Sequence, residues 1–159
     1  MSTWTPIKLR LRGSDAEIFD GETDFAGGGA GAQAVYTGNS VNIANGASGD
    51  LTFDTLALGP ALLDISTPDA PTFLTAGVYA VALNASGDAL TAAGYATLGL
   101  AATGGFAFTA DTEHPEDTWA TSLGVCVVAA GDPLLAVVNN FDGAAARNFA
   151  ISACSVVKL

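Results

Sequence analysis

A chain of 159 residues is enough for one domain, and with half of them hydrophobic and only 13% charged it is not a wholly disordered polypeptide. Sixteen acids against five bases leave a net charge of −11, so the basic stripe of a nucleic-acid binder is excluded. Two cysteines and one histidine exclude a disulfide scaffold, a cysteine-based zinc site and any two-histidine metal motif.

The first dozen residues show no apolar core followed by a small-residue cleavage site, so export by a cleaved signal is not expected. Ile7, Leu9 and Leu11 alternate there with Lys8, Arg10 and Arg12. A period of two predicts a short strand or extended arm with one apolar face. Trp4 just ahead of it suggests an arm that docks on something. An acidic run follows (Asp15, Glu17, Asp20, Glu22, Asp24), and then a glycine-rich stretch over residues 27–31 that predicts a linker. The chain therefore divides into an N-terminal arm with linker, 1–33, and a domain, 34–159. The second part keeps only Arg147 and Lys158 as bases and carries −9.

Within that domain, short runs rich in Val, Phe and Ile predict strands over residues 51–56, 78–83, 105–109, 123–128, 134–138 and 149–157. Turn signals separate them: Asn45-Gly46, Ser86-Gly87-Asp88, and Gly131-Asp132-Pro133. Residues 89–110 contain no charge, but four glycines and interleaved threonines predict two or three strands with glycine turns, not a membrane helix. No amphipathic helical pattern of useful length occurs. The predicted class is all-β, a sandwich or barrel.

Sites of chemistry are scarce. The densest polar cluster is Asp111, Glu113, His114, Glu116 and Asp117, which lacks the spacing and glycine of a calcium loop and predicts a solvated acidic turn. His114 has no Gly-x-Ser-x-Gly nucleophile elbow to serve. Gly29-x-Gly31-x-x-Ala34 imitates a dinucleotide fingerprint, but an acidic run precedes it and a β pattern follows. No catalytic residue, metal site or cofactor is expected, and the protein is not expected to be an enzyme.

Two stretches carry a family resemblance. Leu51, Phe53 and Asp54, followed by Phe73 and Gly77-Val-Tyr79, resemble the entry into the central strand of the tumour-necrosis-factor and complement-C1q jelly roll. Val125 to Val128, the Gly131-Asp132 turn, Leu134 to Val138 and the closing run from Phe149 resemble its late strands. The resemblance covers residues 34–159. It implies an antiparallel jelly-roll sandwich that assembles as a homotrimer through apolar faces, the last strand lying near the centre. In that fold a strand would separate those of Cys126 and Cys154, about 10 Å apart at about 4.8 Å per strand, beyond bridging reach. Both thiols are therefore expected to be reduced and buried.

Residues 1–33 read as neither a collagen repeat nor a coiled coil nor a membrane anchor. A free-standing trimeric jelly roll with an N-terminal arm is similar instead to bacteriophage head-decoration proteins and fibre tips. Two functions follow from that resemblance. The first is a virion structural protein: a decoration (cement) protein assembled in the host cytoplasm and placed on the capsid surface. Its partners would be itself and the major capsid protein, with no nucleic acid and no membrane. The arm residues Trp4, Ile7, Lys8, Leu9, Arg10, Leu11 and Arg12 would bind the shell. The alternative is a receptor-binding or fibre-tip module, for which Trp119 and Phe141 are the candidate exposed aromatics.

Overall fold

A computed structural model describes residues 30–91, 94–102, 106–112 and 118–159, with the strand segments 106–112 and 118–122 described by their backbone. Every regular element among them is a β-strand, and all the pairings are antiparallel. None of the described residues lies in a helix long and apolar enough to cross a membrane.

Twelve strands can be followed in the described chain. They are β1 (Gln33–Thr37), β2 (Val41–Ile43), β3 (Ser48–Asp50), β4 (Thr55–Leu58), β5 (Leu63–Asp64) and β6 (Thr72–Phe73). The long ones follow: β7 (Gly77–Gly87), β8 (Tyr95–Ala102), β9 (Phe106–Thr112), β10 (Thr118–Val128), β11 (Leu134–Phe141) and β12 (Arg147–Lys158). One sheet has the order β10-β7-β12-β1-β4, with β2 also paired to β12; the other has the order β3-β11-β8-β9. β5 and β6 form a small separate ladder. The chain's last strand thus lies in the middle of the larger sheet.

Alternation explains why these segments pair as they do. On β7, Tyr79, Val81, Leu83 and Ala85 point inward, while the residues between them stay partly exposed. β12 repeats this with Phe149 and Ile151, then shifts by one residue at an irregularity between Ile151 and Ala153, so that Cys154 and Val156 also face the core. Facing them, Leu98 and Leu100 of β8 and Leu134, Ala136 and Val138 of β11 line the inner side of the second sheet. Two tyrosine hydroxyls are satisfied inside this core. Tyr36 accepts from the amides of Leu62 and Leu63, both at 2.8 Å, and Tyr79 donates to the carbonyl of Thr75 at 2.9 Å.

Three sequence expectations shift. The strand expected over 51–56 is not a ladder at its start. Leu51 and Phe53 are buried, but their amides donate to Ala136 and Pro68, and that of Asp54 to Thr37. Backbone partners on three different segments hold an extended crossing, and pairing begins only with β4. The turn expected at Ser86-Gly87-Asp88 lies farther on, because β7 continues through Gly87. A Cβ there would stand 2.5 Å from the Phe149 ring, so the glycine admits the ring rather than turning the chain. Finally, β2 and β3 are strands that the sequence did not signal, whereas the β pattern expected after Ala34 opens with β1. The turn at Gly131 does form, with φ +88, a conformation glycine adopts without strain.

Candidate functional site

The arm residues Trp4, Ile7, Lys8, Leu9, Arg10, Leu11 and Arg12 lie outside the described residues, as does His114 with most of its acidic cluster. Among the described residues, no group of three or more His, Cys, Asp or Glu is arranged to hold a metal ion. The expected separation of the thiols is present: β7 lies between the strands of Cys126 and Cys154, and both thiols are free and buried. Burial pushes the Cys154 thiol up to about 12 and raises that of Cys126 as well. Neither is a nucleophile at neutral pH.

Surface chemistry concentrates in three places. The first is the outer face of the larger sheet. Register aligns Leu123 (β10), Ala82 (β7), Ser155 (β12), Val35 (β1) and Leu58 (β4) in one row. Val125, Ala80, Val157 and Gln33 form the next, and Val127 with Val78 the one after. No charged residue stands in these rows, in a chain that carries −11. Leu123, Val125 and Val127 are 59%, 57% and 66% exposed, and Leu58 and Val78 are exposed too. Apolar β-branched residues facing outward on alternate positions form a surface suited to burial against another protein.

The second is one end of the sandwich, where Asn140 and Asp142 hold three connections together. Asn140 is buried; its Nδ2 donates to the carbonyls of Ile43 and Ala145, and its Oδ1 accepts from the amide of Asp142. The Asp142 carboxylate, also buried, accepts from the Thr91 amide at 2.6 Å, the Ala145 amide at 3.1 Å and Arg147 Nη2 at 3.2 Å. The Thr91 amide, followed by the Arg147 guanidinium and the Ala145 amide, holds this carboxyl below the usual range against the opposing effect of burial. Gly94 closes the cluster: a Cβ there would lie 2.9 Å from Asp142 Cα and carbonyl oxygen. The network is structural, tying Thr91, Gly94 and the 142–146 connection to the β2–β3 turn.

The third is on the outer face of the second sheet. Tyr95 of β8 and Phe141 of β11 oppose each other in register and stack, with ring centroids 4.8 Å apart and planes inclined by 24°. They are 41% and 38% exposed. In the adjacent row Asn139 Nδ2 donates to Thr97 Oγ1 at 2.7 Å, and the Ser48 hydroxyl donates to Asn139 Oδ1. Phe141 was legible as a candidate. Its partner Tyr95 was not, because 46 residues separate them and only register joins them. The Trp119 side chain lies outside the described residues.

No protein-family model matches the chain, and no curated protein matches it. Solved structures are similar in fold. The PRD1 vertex protein P5 superposes with a TM-score of 0.56 at 20% identity, covering 82% of this chain and 99% of that one. The globular domain of zebrafish complement 1qA gives 0.55 at 17%, covering 80% and 97%. Murine APRIL at pH 5.0 gives 0.52 at 13%, covering 75% and 98%. Together with the strand order, these likenesses establish the architecture: the chain is an all-β jelly roll of the TNF and C1q type.

Proposed function

We propose that the protein is a phage virion structural protein, a homotrimeric decoration protein that binds and stabilises a capsid. The observation that carries this reading is the fold likeness to a vertex protein, combined with an uncharged, apolar sheet face on an otherwise acidic chain. Three copies packed through that face would remove Leu123, Val125 and Val127 from water. The N-terminal arm, 1–33, would extend from the domain, 34–159, toward the shell. There Ile7, Leu9 and Leu11 could complete a strand edge of the major capsid protein, with Lys8, Arg10 and Arg12 meeting acidic surface. Each backbone hydrogen bond so made adds only about 1 kcal/mol net. Three arms acting together would gain about two to four orders of magnitude through effective concentration. On this reading the trimer assembles in the host cytoplasm and resides on the capsid surface, with no enzymatic role.

The test is attachment to particles. Deleting residues 2–12 should abolish binding to undecorated shells while the domain keeps its oligomeric state. Undiminished attachment of the deletion variant would overturn the role of the arm, and a monomeric wild type at micromolar concentration would overturn the trimer.

A further inference from the structure

The stacked aromatic pair has no role in that reading. It lies on the outer face of the four-stranded sheet, on the opposite side of the sandwich from the uncharged rows. We propose that Tyr95 and Phe141, with Ser48, Asn139 and Thr97, form a binding platform for a neutral hexose unit of a glycan.

Geometry comes first. Neighbouring strands run about 4.8 Å apart. Rings with centroids 4.8 Å apart and nearly parallel planes therefore stack along the direction from β8 to β11. Each ring gives one face to the other. The second faces look outward, that of Tyr95 toward β9 and that of Phe141 toward β3. On the Phe141 side β3 begins at Ser48, opposite Asn139, and the turn before it stays beside β11, the Gly46 amide donating to the Asn140 carbonyl and the Asn140 amide to that of Ala47. Gly46 sits in that turn with φ +75, and a Cβ there would meet nothing within 4 Å. With no side chain at Gly46, the Phe141 ring stays 38% exposed beside that turn.

The second observation is the polar row. Thr97, Asn139 and Ser48 lie side by side on three strands, one step of the outer face from the aromatic pair. Two residues of antiparallel strand span about 6.8 Å, the reach of a pyranose ring and its hydroxyls. The row is pre-oriented by its own bonds, Asn139 to Thr97 and Ser48 to Asn139. Asn139 keeps its second amide hydrogen, and the hydroxyls keep spare lone pairs. Beyond it, Gly99 opposes Val137, so β8 contributes no side chain at that step of the face. An apolar ring face beside a row of amide and hydroxyl groups matches the two surfaces of a sugar: axial C–H groups on one side, equatorial hydroxyls around the rim.

Charge selects within the sugars. Among the described residues the only cations are Arg147, bonded to buried Asp142, and Lys158, which donates to Thr75. Asp50 stands in the row beyond the ladder, opposite Val137. Phosphate, sialic acid and uronic acids would find repulsion here, and neutral hexoses would not.

Binding is measured on the isolated protein, by saturation-transfer NMR with methyl β-D-galactoside, methyl β-D-glucoside and methyl α-D-mannoside, so it is read separately from shell attachment. At least one should bind with a dissociation constant of about 1 mM, the order expected for a ligand of this size on an open surface. Phe141→Leu and Tyr95→Leu should each weaken binding about tenfold while melting temperature and circular dichroism are kept. Thr97→Val should change the preference among the three sugars. The proposal is overturned if none of the neutral hexosides binds, if both leucine variants bind like wild type, or if N-acetylneuraminic acid binds better than any of them. Loss of shell attachment in Phe141→Leu, with no sugar bound by the wild type, would instead make the patch a protein contact and would also overturn it.

Discussion

Replacing Val125 by alanine removes two carbons from the middle of the three exposed side chains on β10. Burying a carbon of this kind is worth about 0.8 kcal/mol. Val125 is 57% exposed in the single chain, so an interface across this face would recover about 0.9 kcal/mol from those two carbons. Three copies lose about 2.7 kcal/mol together, about a hundredfold in the dissociation constant of the proposed trimer. That constant scales with the square of the concentration at which monomer and trimer balance, so the midpoint should rise about tenfold. Sedimentation equilibrium over a dilution series reads this directly. Fold stability should change little, because the side chain already faces outward on an edge strand. The same truncation at fully buried Val81 supplies the contrast: it should cost about 1–2 kcal/mol of fold stability, chiefly through lost packing. An unchanged midpoint for Val125→Ala, in a wild type that does self-associate, would refute the assignment of this face to the interface.

Two further outcomes follow from buried groups. Asp142 has a lowered carboxyl pKa, so its contribution to stability is complete above the ordinary carboxylate value of about 3.9 and is lost as pH falls below it toward the folded-state value. Asp142→Asn should therefore lower the melting temperature at pH 7 and flatten its decline between pH 5 and 3, as followed by circular dichroism; an unchanged acid limb would sink the argument. Cys154, with its thiol pushed up to about 12, should resist a thiol-reactive reagent at pH 8 in the folded protein and react promptly in denaturant. Rapid labelling of Cys154 in the native state would show that β12 opens locally.

What the sequence disclosed depended on how far apart the cooperating residues stand. β7, β10, β11 and β12 carry enough alternating Val, Leu, Ile and Phe to announce themselves within one window, and their order was enough to suggest the jelly roll. β1 was signalled only as a β pattern without bounds after Ala34, because Gln33 to Thr37 follows a glycine run and is held by β12 and β4 on either side. β3 is Ser-Gly-Asp, with no strand propensity at all, and is held by its register on β11. The same distance hid the sites. The face around Val125 is uncharged only once five strands are laid side by side, and Asp142 is a structural anchor only because Thr91 arrives from a connection 51 residues away. The separation of the two thiols could be anticipated because it needed only the strand order.

Charge gives the two proposed contacts opposite signatures in salt. Every chain carries −11, and no charge stands in the rows of the uncharged face, so bringing three chains together accumulates negative charge around a neutral contact. Their mutual repulsion acts over distances comparable to a domain at low ionic strength and is confined to about 8 Å at 0.15 M. Trimer formation should therefore strengthen as salt rises. Attachment of the arm should behave the other way, since Lys8, Arg10 and Arg12 would be drawn to acidic shell surface and lose that attraction through the same screening. Measuring both on one preparation, from about 20 to 300 mM sodium chloride, separates the two contacts without any mutation. Opposite slopes are expected, and the serine replacement of all three bases should flatten the attachment slope alone. If attachment instead strengthened with salt in parallel with self-association, the shell contact would belong to an apolar surface of the jelly roll and not to the basic arm.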